Sequence, residues 1–297
     1  MKLQYFKGKN FGDALNPYIF NHFLPDFFDE DASVSFFGIG SILGFEMAQE
    51  AQTKIVFSSG FAYGEKPDID ETYDIVCVRG PKSAETLGLN PELAIADGAV
   101  LLQFMEIPKP KKNYKFSFIP HWGSEQKYSK WPKLCAAAGI NYISPMADKD
   151  FVLQEILKSE VVIAEAMHGA IVADTFGVPW IPVKAYPTIN EFKWNDWAQS
   201  LEINFEFKAI SSMYESNEFM QKKLGELSKN IIPVFLLKLL LSAIETIYYR
   251  PKKKGVIKEL RALKNSRQYL SDRNLLRQRG NELLQKLEVI KEKYQAG

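Results

Sequence analysis

Short apolar runs separated by polar stretches recur from the first residues to about position 185, and their lengths decide what they are. The four-residue runs at 3–6, 34–37, 55–58 and 75–78 are too short for core helices, so they read as strands of a buried parallel sheet. Residues 14–23 form a helical stretch after the first strand, and 94–102 closes this set. A second alternation predicts strand 115–119, helix 131–138, strand 142–144, helix 149–158 and strand 161–164. A short helix, 170–176, is then ended by Gly177, and strand 180–183 follows Pro179. Between the sets, Ile107-Pro108-Lys109-Pro110-Lys111-Lys112-Asn113 has no periodicity and reads as a linker. The prediction is an α/β protein of two doubly wound, Rossmann-like domains, 1–106 and 114–210, joined by 107–113 and facing a cleft. A helical extension occupies 211–297.

That extension has a different character. Residues 231–249 are nearly all apolar, yet Lys238, Ser242, Glu245 and Tyr249 recur at helical spacing. Burying Lys238 and Glu245 in a bilayer would cost about 2.5 to 3.5 kcal/mol each, so an amphipathic helix is expected rather than a spanning one. From 251 onward thirteen Lys plus Arg stand against five Asp plus Glu, in a chain whose net charge is +1. This asymmetry suits contact of 231–254 with an anionic membrane surface. Packing of the helix on the sheet domains is the competing reading, and the heptad-like spacing of Leu276, Leu283, Leu287, Ile290 and Tyr294 would also serve self-association. Nucleic acid is disfavoured, since the basic tail lacks interleaved aromatics and any recognised binding motif.

Composition narrows the chemistry. With 46% hydrophobic and 25% charged residues the 297-residue chain is globular, and Met1 to Gly8 reads as a first strand rather than a signal peptide. Cys77 and Cys135 give neither a disulfide framework nor metal-ligand spacing, which fits a reducing cytoplasm. The three histidines are scattered and no paired carboxylates stand at ligand spacing, so no metal and no cofactor is expected.

The most informative segment is 161–183, where His168 follows an apolar strand at the start of a helix, a place suited to anions and to chemistry. His168 can act there as acid and base or can merely cap the turn. Gly169 lets the backbone come close, and Glu165 could orient the imidazole, touch a substrate hydroxyl or be structural. In the first domain, Gly12 allows close approach, and Asp13 either accepts a substrate hydroxyl or caps helix 14–23. His121 ends a strand beside Trp122, an aromatic ring that could stack on a ligand ring or serve packing alone.

This segment, Glu165-Ala166-Met167-His168-Gly169-Ala170, resembles the histidine turn of the polysaccharide pyruvyl transferase family, closest to the bacterial exopolysaccharide ketal-pyruvate transferases. The resemblance continues in order through Asn10-Phe11-Gly12-Asp13, Gly38-Ile39-Gly40-Ser41, Arg79-Gly80-Pro81, Ala96-Asp97-Gly98-Ala99 and Ile119-Pro120-His121. It implies a glycosyltransferase-B-like fold and transfer of the carboxyvinyl unit of phosphoenolpyruvate to two hydroxyls of a sugar, with release of phosphate. It implies a lipid-linked oligosaccharide acceptor and a cytoplasmic protein peripheral to the inner face of the membrane. His168 and Glu165 are the expected catalytic residues; Asn10, Gly12, Asp13, Gly40, Ser41, Arg79, His121 and Gly169 are the expected substrate-binding ones. Ala166 departs from the pattern, since many relatives carry arginine or serine there. Phosphate binding then falls first on Arg79, with Lys184 and amides near Gly169 as substitutes. A sugar transferase of the same architecture and a noncatalytic, membrane-associated scaffold of polysaccharide assembly are the alternatives.

Overall fold

The structure, a computed structural model, describes residues 1–215 and 250–294. Two fully parallel sheets organise it. The first has the order β1-β2-β3-β4, formed by Lys2–Gln4, Val34–Phe37, Thr53–Ser59 and Tyr73–Val78. The second has the order β6-β5-β7-β8-β9: β5 is Tyr114–Ile119, β6 Asn141–Tyr142, β7 Ser159–Ala164, β8 Trp180–Lys184 and β9 Lys208–Ala209. Strand order reverses at β5, whose neighbours are β6 and β7. The carboxyl ends of β5 and β7 therefore flank a topological switch point, where open α/β sheets bind ligands.

Helices α1 (Phe11–Phe23) and α2 (Pro81–Leu87) belong to the first unit. To the second belong α3 (Trp122–Lys127), α4 (Trp131–Ala138), α5 (Lys149–Leu157), α6 (Met167–Thr175) and α7 (Glu191–Ser200). Asn10, and not Asp13, is the N-cap of α1: its Oδ1 accepts from the Gly12 amide at 3.4 Å, so the helix starts three residues earlier than the pattern predicts. Helix α6 likewise begins at Met167, which puts His168 in its first turn. Residues 94–102 form no strand. Ala94 makes a single bridge to Val78, after which Asp97 turns the chain into the 3-10 helix Gly98–Phe104 by accepting from the Ala99 amide at 3.0 Å. Helix α7 was not anticipated at all.

The two units share one apolar core. Phe11 and Leu15 of α1 pack in the same cluster as Ile119, Met167 and Ile171 of the second unit. The C-terminal helices brace both. In α8 (Arg250–Leu263), Val256, Leu260 and Leu263 are buried with Trp131 and Leu134 of α4. The chain then passes β8, where Tyr269 and Trp180 exchange backbone hydrogen bonds of 3.0 and 2.8 Å.

Next, α9 (Arg273–Tyr294) returns to the first unit. Gly280 lies against the Phe104 ring, and Tyr294 donates to Asp74 at 2.7 Å. Leu276, Leu283, Leu287 and Ile290, at most 1% exposed, fill this chain's own core. These positions pack within the chain itself, and a long helix seated on two sheets produces the same spacing as a helix seated on a partner. The amphipathic stretch 231–249 lies outside the described residues. Among those described, no helix is long and apolar enough to cross a membrane.

Candidate active site

The turns at the carboxyl ends of the two sheets meet. His168 lies directly on Gly12: a Cβ built there would fall 2.1 Å from the His168 Nδ1. The other ring nitrogen, Nε2, is 3.7 Å from Oδ2 of the fully buried Asp97. That is ion-pair range for a protonated ring, though longer than the roughly 2.7–3.2 Å of a hydrogen bond. Burial alone would raise the Asp97 carboxyl; His168, Arg79 and the Ala99 amide outweigh it and hold the group below its ordinary value. Asp97 thus remains an anion behind the imidazole. Asp13, one residue past the contact, takes a 2.6 Å hydrogen bond from Asn10, and burial raises its carboxyl against the pull of His168 and Lys193.

Unsatisfied polar atoms concentrate here. Among the described residues seven buried side-chain polar atoms have no hydrogen-bond partner, and four of them are Ser58 Oγ, Arg79 Nη2, Asp97 Oδ2 and His168 Nε2. Native interiors rarely leave such atoms unpaired without a functional reason. Ser58 adds backbone strain: it sits at φ 60° where the β3–β4 register shifts, and its Oγ would meet a Cβ at Gly98 at 2.4 Å.

Arg79 is buried at the end of β4 and joins the two units. Its Nε donates to Asp196 of α7 at 2.9 Å and its Nη1 to Ser41 at 2.6 Å. Asp196 also accepts from the Ser83 amide and hydroxyl, at 2.8 and 2.6 Å, and so closes the N-terminus of α2. Gly40, at φ +139°, turns its carbonyl to the Gly60 amide at 2.8 Å. It shapes the turn that presents Ser41.

Other expected site residues have structural employment. Both Glu165 oxygens are taken by backbone amides, those of His121 at 3.0 Å and Ala185 at 2.8 Å. This ties the ends of β5 and β8 together, and neither oxygen is hydrogen-bonded to His168. His121 caps α3 by accepting from the Gly123 amide at 3.2 Å. Burial, with Lys193 and Lys127 adding to it, brings its pKa down to about 3, so the ring is neutral near pH 7. Gly169 makes room for Ile119, whose Cγ2 a Cβ would approach to 2.6 Å. Lys184 pairs with Glu191. Ala166 is the N-cap of α6 and offers no side-chain hydrogen bond.

Against this geometry stands the result of sequence comparison: residues 10–185 match the model of the polysaccharide pyruvyl transferase family. The chain belongs to that family. Its matched segment begins at the Asn10 cap and ends just past β8, so it holds both halves of the His168 junction. The protein is also similar to the succinoglycan biosynthesis protein ExoV of Rhizobium meliloti (strain 1021), with 42% identity over 210 residues. These are 69% of this chain and 66% of the relative, so the match spans just under two thirds of that protein's length.

Three residues at this junction are not marked by the sequence pattern: Asp97 beside His168, Asp196 as the partner of Arg79, and Lys193. Asp97 was visible as part of a family segment, and the Asn190 cap signalled α7, since its Oδ1 accepts from the Phe192 amide at 3.0 Å. The Gly12 contact yields a prediction. In Gly12→Ala the imidazole must swing away, and turnover is expected to fall roughly a hundredfold while the fold is kept. Steady-state kinetics with circular dichroism measures this; unchanged turnover would mean that His168 does not work in the pose it holds against Gly12.

Proposed function

We propose that this protein moves the carboxyvinyl unit of phosphoenolpyruvate onto two hydroxyls of one sugar in a lipid-linked exopolysaccharide repeat unit, releasing phosphate. The observation that carries the reading is the His168–Asp97 pair pressed on Gly12, at the meeting point of the two sheets and inside the family-matched segment. In this reading the sheets form a glycosyltransferase-B-like pair, with α9 as the helix that crosses back.

The chemistry needs one proton delivered to the donor methylene and two removed from hydroxyls. Of the two hydroxyl protons, one ends on the new methyl group and the other leaves with phosphate, so the balance closes without a cofactor. His168 exchanges the proton at the ring nitrogen turned away from Asp97, while the Asp97 anion stabilises the protonated ring. Asp13, whose carboxyl is raised by burial, is placed to receive the second hydroxyl proton. Trp122, 43% exposed beside His121, offers a stacking face for the acceptor sugar. The basic surplus after residue 250, together with 231–249, brings the protein to the inner membrane face where such an acceptor lies.

The experiment is phosphate release from phosphoenolpyruvate by the full chain with lipid-linked repeat unit as acceptor. Release that requires both substrates is expected. No phosphate release when both are present, combined with consumption of a nucleotide sugar, would replace the reading by glycosyl transfer.

A further inference from the structure

Lys193 is the third residue of α7 and reaches the junction from the second unit, half-buried, with its Nζ 5.7 Å from the centre of the Tyr63 ring. Among the described residues no carboxylate lies within ion-pair distance of the ammonium, and it donates no side-chain hydrogen bond to any of them. Its electrostatic neighbours are Asp13, Arg79 and His121. The nearby Arg79 is buried on all sides and keeps Nη2 without a partner. Two cations with unpartnered donors thus act on each other across the junction, while Asp196 is held by Arg79 and Ser83, one Asp97 oxygen by the Ala99 amide and one Asp13 oxygen by Asn10.

We propose that Lys193 and Arg79 Nη2 together hold a phosphate dianion, which on the reading above is the phosphate of the donor, next to the His168 imidazole. The division of labour follows from their chemistry. Arg79 is locked by Asp196 and Ser41, so it supplies a fixed N–H vector, whereas the lysine supplies a mobile point charge. Burial, and then the Arg79 guanidinium, pull the Lys193 ammonium down to about 8, with Asp13 opposing. A bound dianion would relieve both the desolvation and the repulsion between the cations, which is the behaviour expected of a site built to be filled.

The test is direct binding to the full chain, without acceptor, of three probes: inorganic phosphate, phosphoenolpyruvate and pyruvate. Lys193→Met is expected to weaken phosphate and phosphoenolpyruvate binding by roughly tenfold to a hundredfold, the range for a lost charged hydrogen bond. Pyruvate, which lacks the phosphate, should bind the variant and the wild type alike. Lys193→Arg should keep most of the affinity, and a melting temperature for each variant confirms that it is folded. Phosphate affinity equal in Lys193→Met and wild type, or absent from the wild type, overturns the proposal. Phosphate binding that depends on Lys193 upholds the site even if no transfer from phosphoenolpyruvate is ever seen, in which case the assigned reaction alone fails.

Discussion

His168→Asn is expected to lower turnover by about two to four orders of magnitude while the melting temperature stays within about 2 °C of wild type, the pattern of a lost acid or base. Asparagine keeps a polar atom at the Nδ1 position, against Gly12, but does not reach toward Asp97 as Nε2 does and cannot carry a proton near neutral pH. The side chain is only 13% exposed, so this near-isosteric change is more informative than alanine, which would leave a hole at the joint between the units. Asp97→Asn should follow in the same direction with a smaller loss, because it removes the stabilising anion but leaves the proton carrier. A folded His168→Asn variant with wild-type turnover would show that the chemistry lies elsewhere.

Asp196→Ala is expected to give the largest change in stability. Arg79 and Asp196 are both fully buried, and arginine cannot shed its charge, so removal of the carboxylate strands a cation in the interior. The Ser83 amide loses its acceptor at the same time. Breaking a buried pair in this way costs about 3 to 5 kcal/mol, and for a chain of this size that is a fall on the order of 10 °C in melting temperature. The double variant Arg79→Met with Asp196→Leu should recover part of the loss, because no charge is then left unpaired. Calorimetry of the three forms checks this. A melting temperature for Asp196→Ala within about 2 °C of wild type would mean that the two units are not joined through this pair.

How much of this was legible in the chain depends on whether a feature is local. Strand Val34–Phe37 and helix Trp131–Ala138 coincide with the apolar pattern because a buried strand and a one-faced helix write themselves into consecutive residues. The start of α1 was misplaced because Asn10 and Asp13 are both plausible caps, and only the hydrogen bond to the Gly12 amide decides between them. His168 was legible from its position between strand and helix. Its partner was not, since the approach of Asp97 depends on how two sheets meet. The same holds for Arg79: sequence marked it as an anion holder, but its closest carboxylate is 117 positions away on a helix that the pattern did not reveal. Glu165 shows the reverse case, a charged residue beside a catalytic candidate whose oxygens serve the backbone of neighbouring strands. The heptad spacing of α9 was real, but spacing alone does not say which surface a helix covers.

The measurement that bears most directly on the central claim is the isotopic composition of the product formed in D2O from phosphoenolpyruvate and the exopolysaccharide repeat unit. If the junction delivers a solvent-exchangeable proton to the donor methylene, NMR will show a pyruvate ketal whose methyl group carries deuterium, formed one for one with free phosphate, and His168→Asn will suppress both together. A ketal methyl free of deuterium, or a His168→Asn enzyme that still forms the deuterated product at the wild-type rate, would contradict the account.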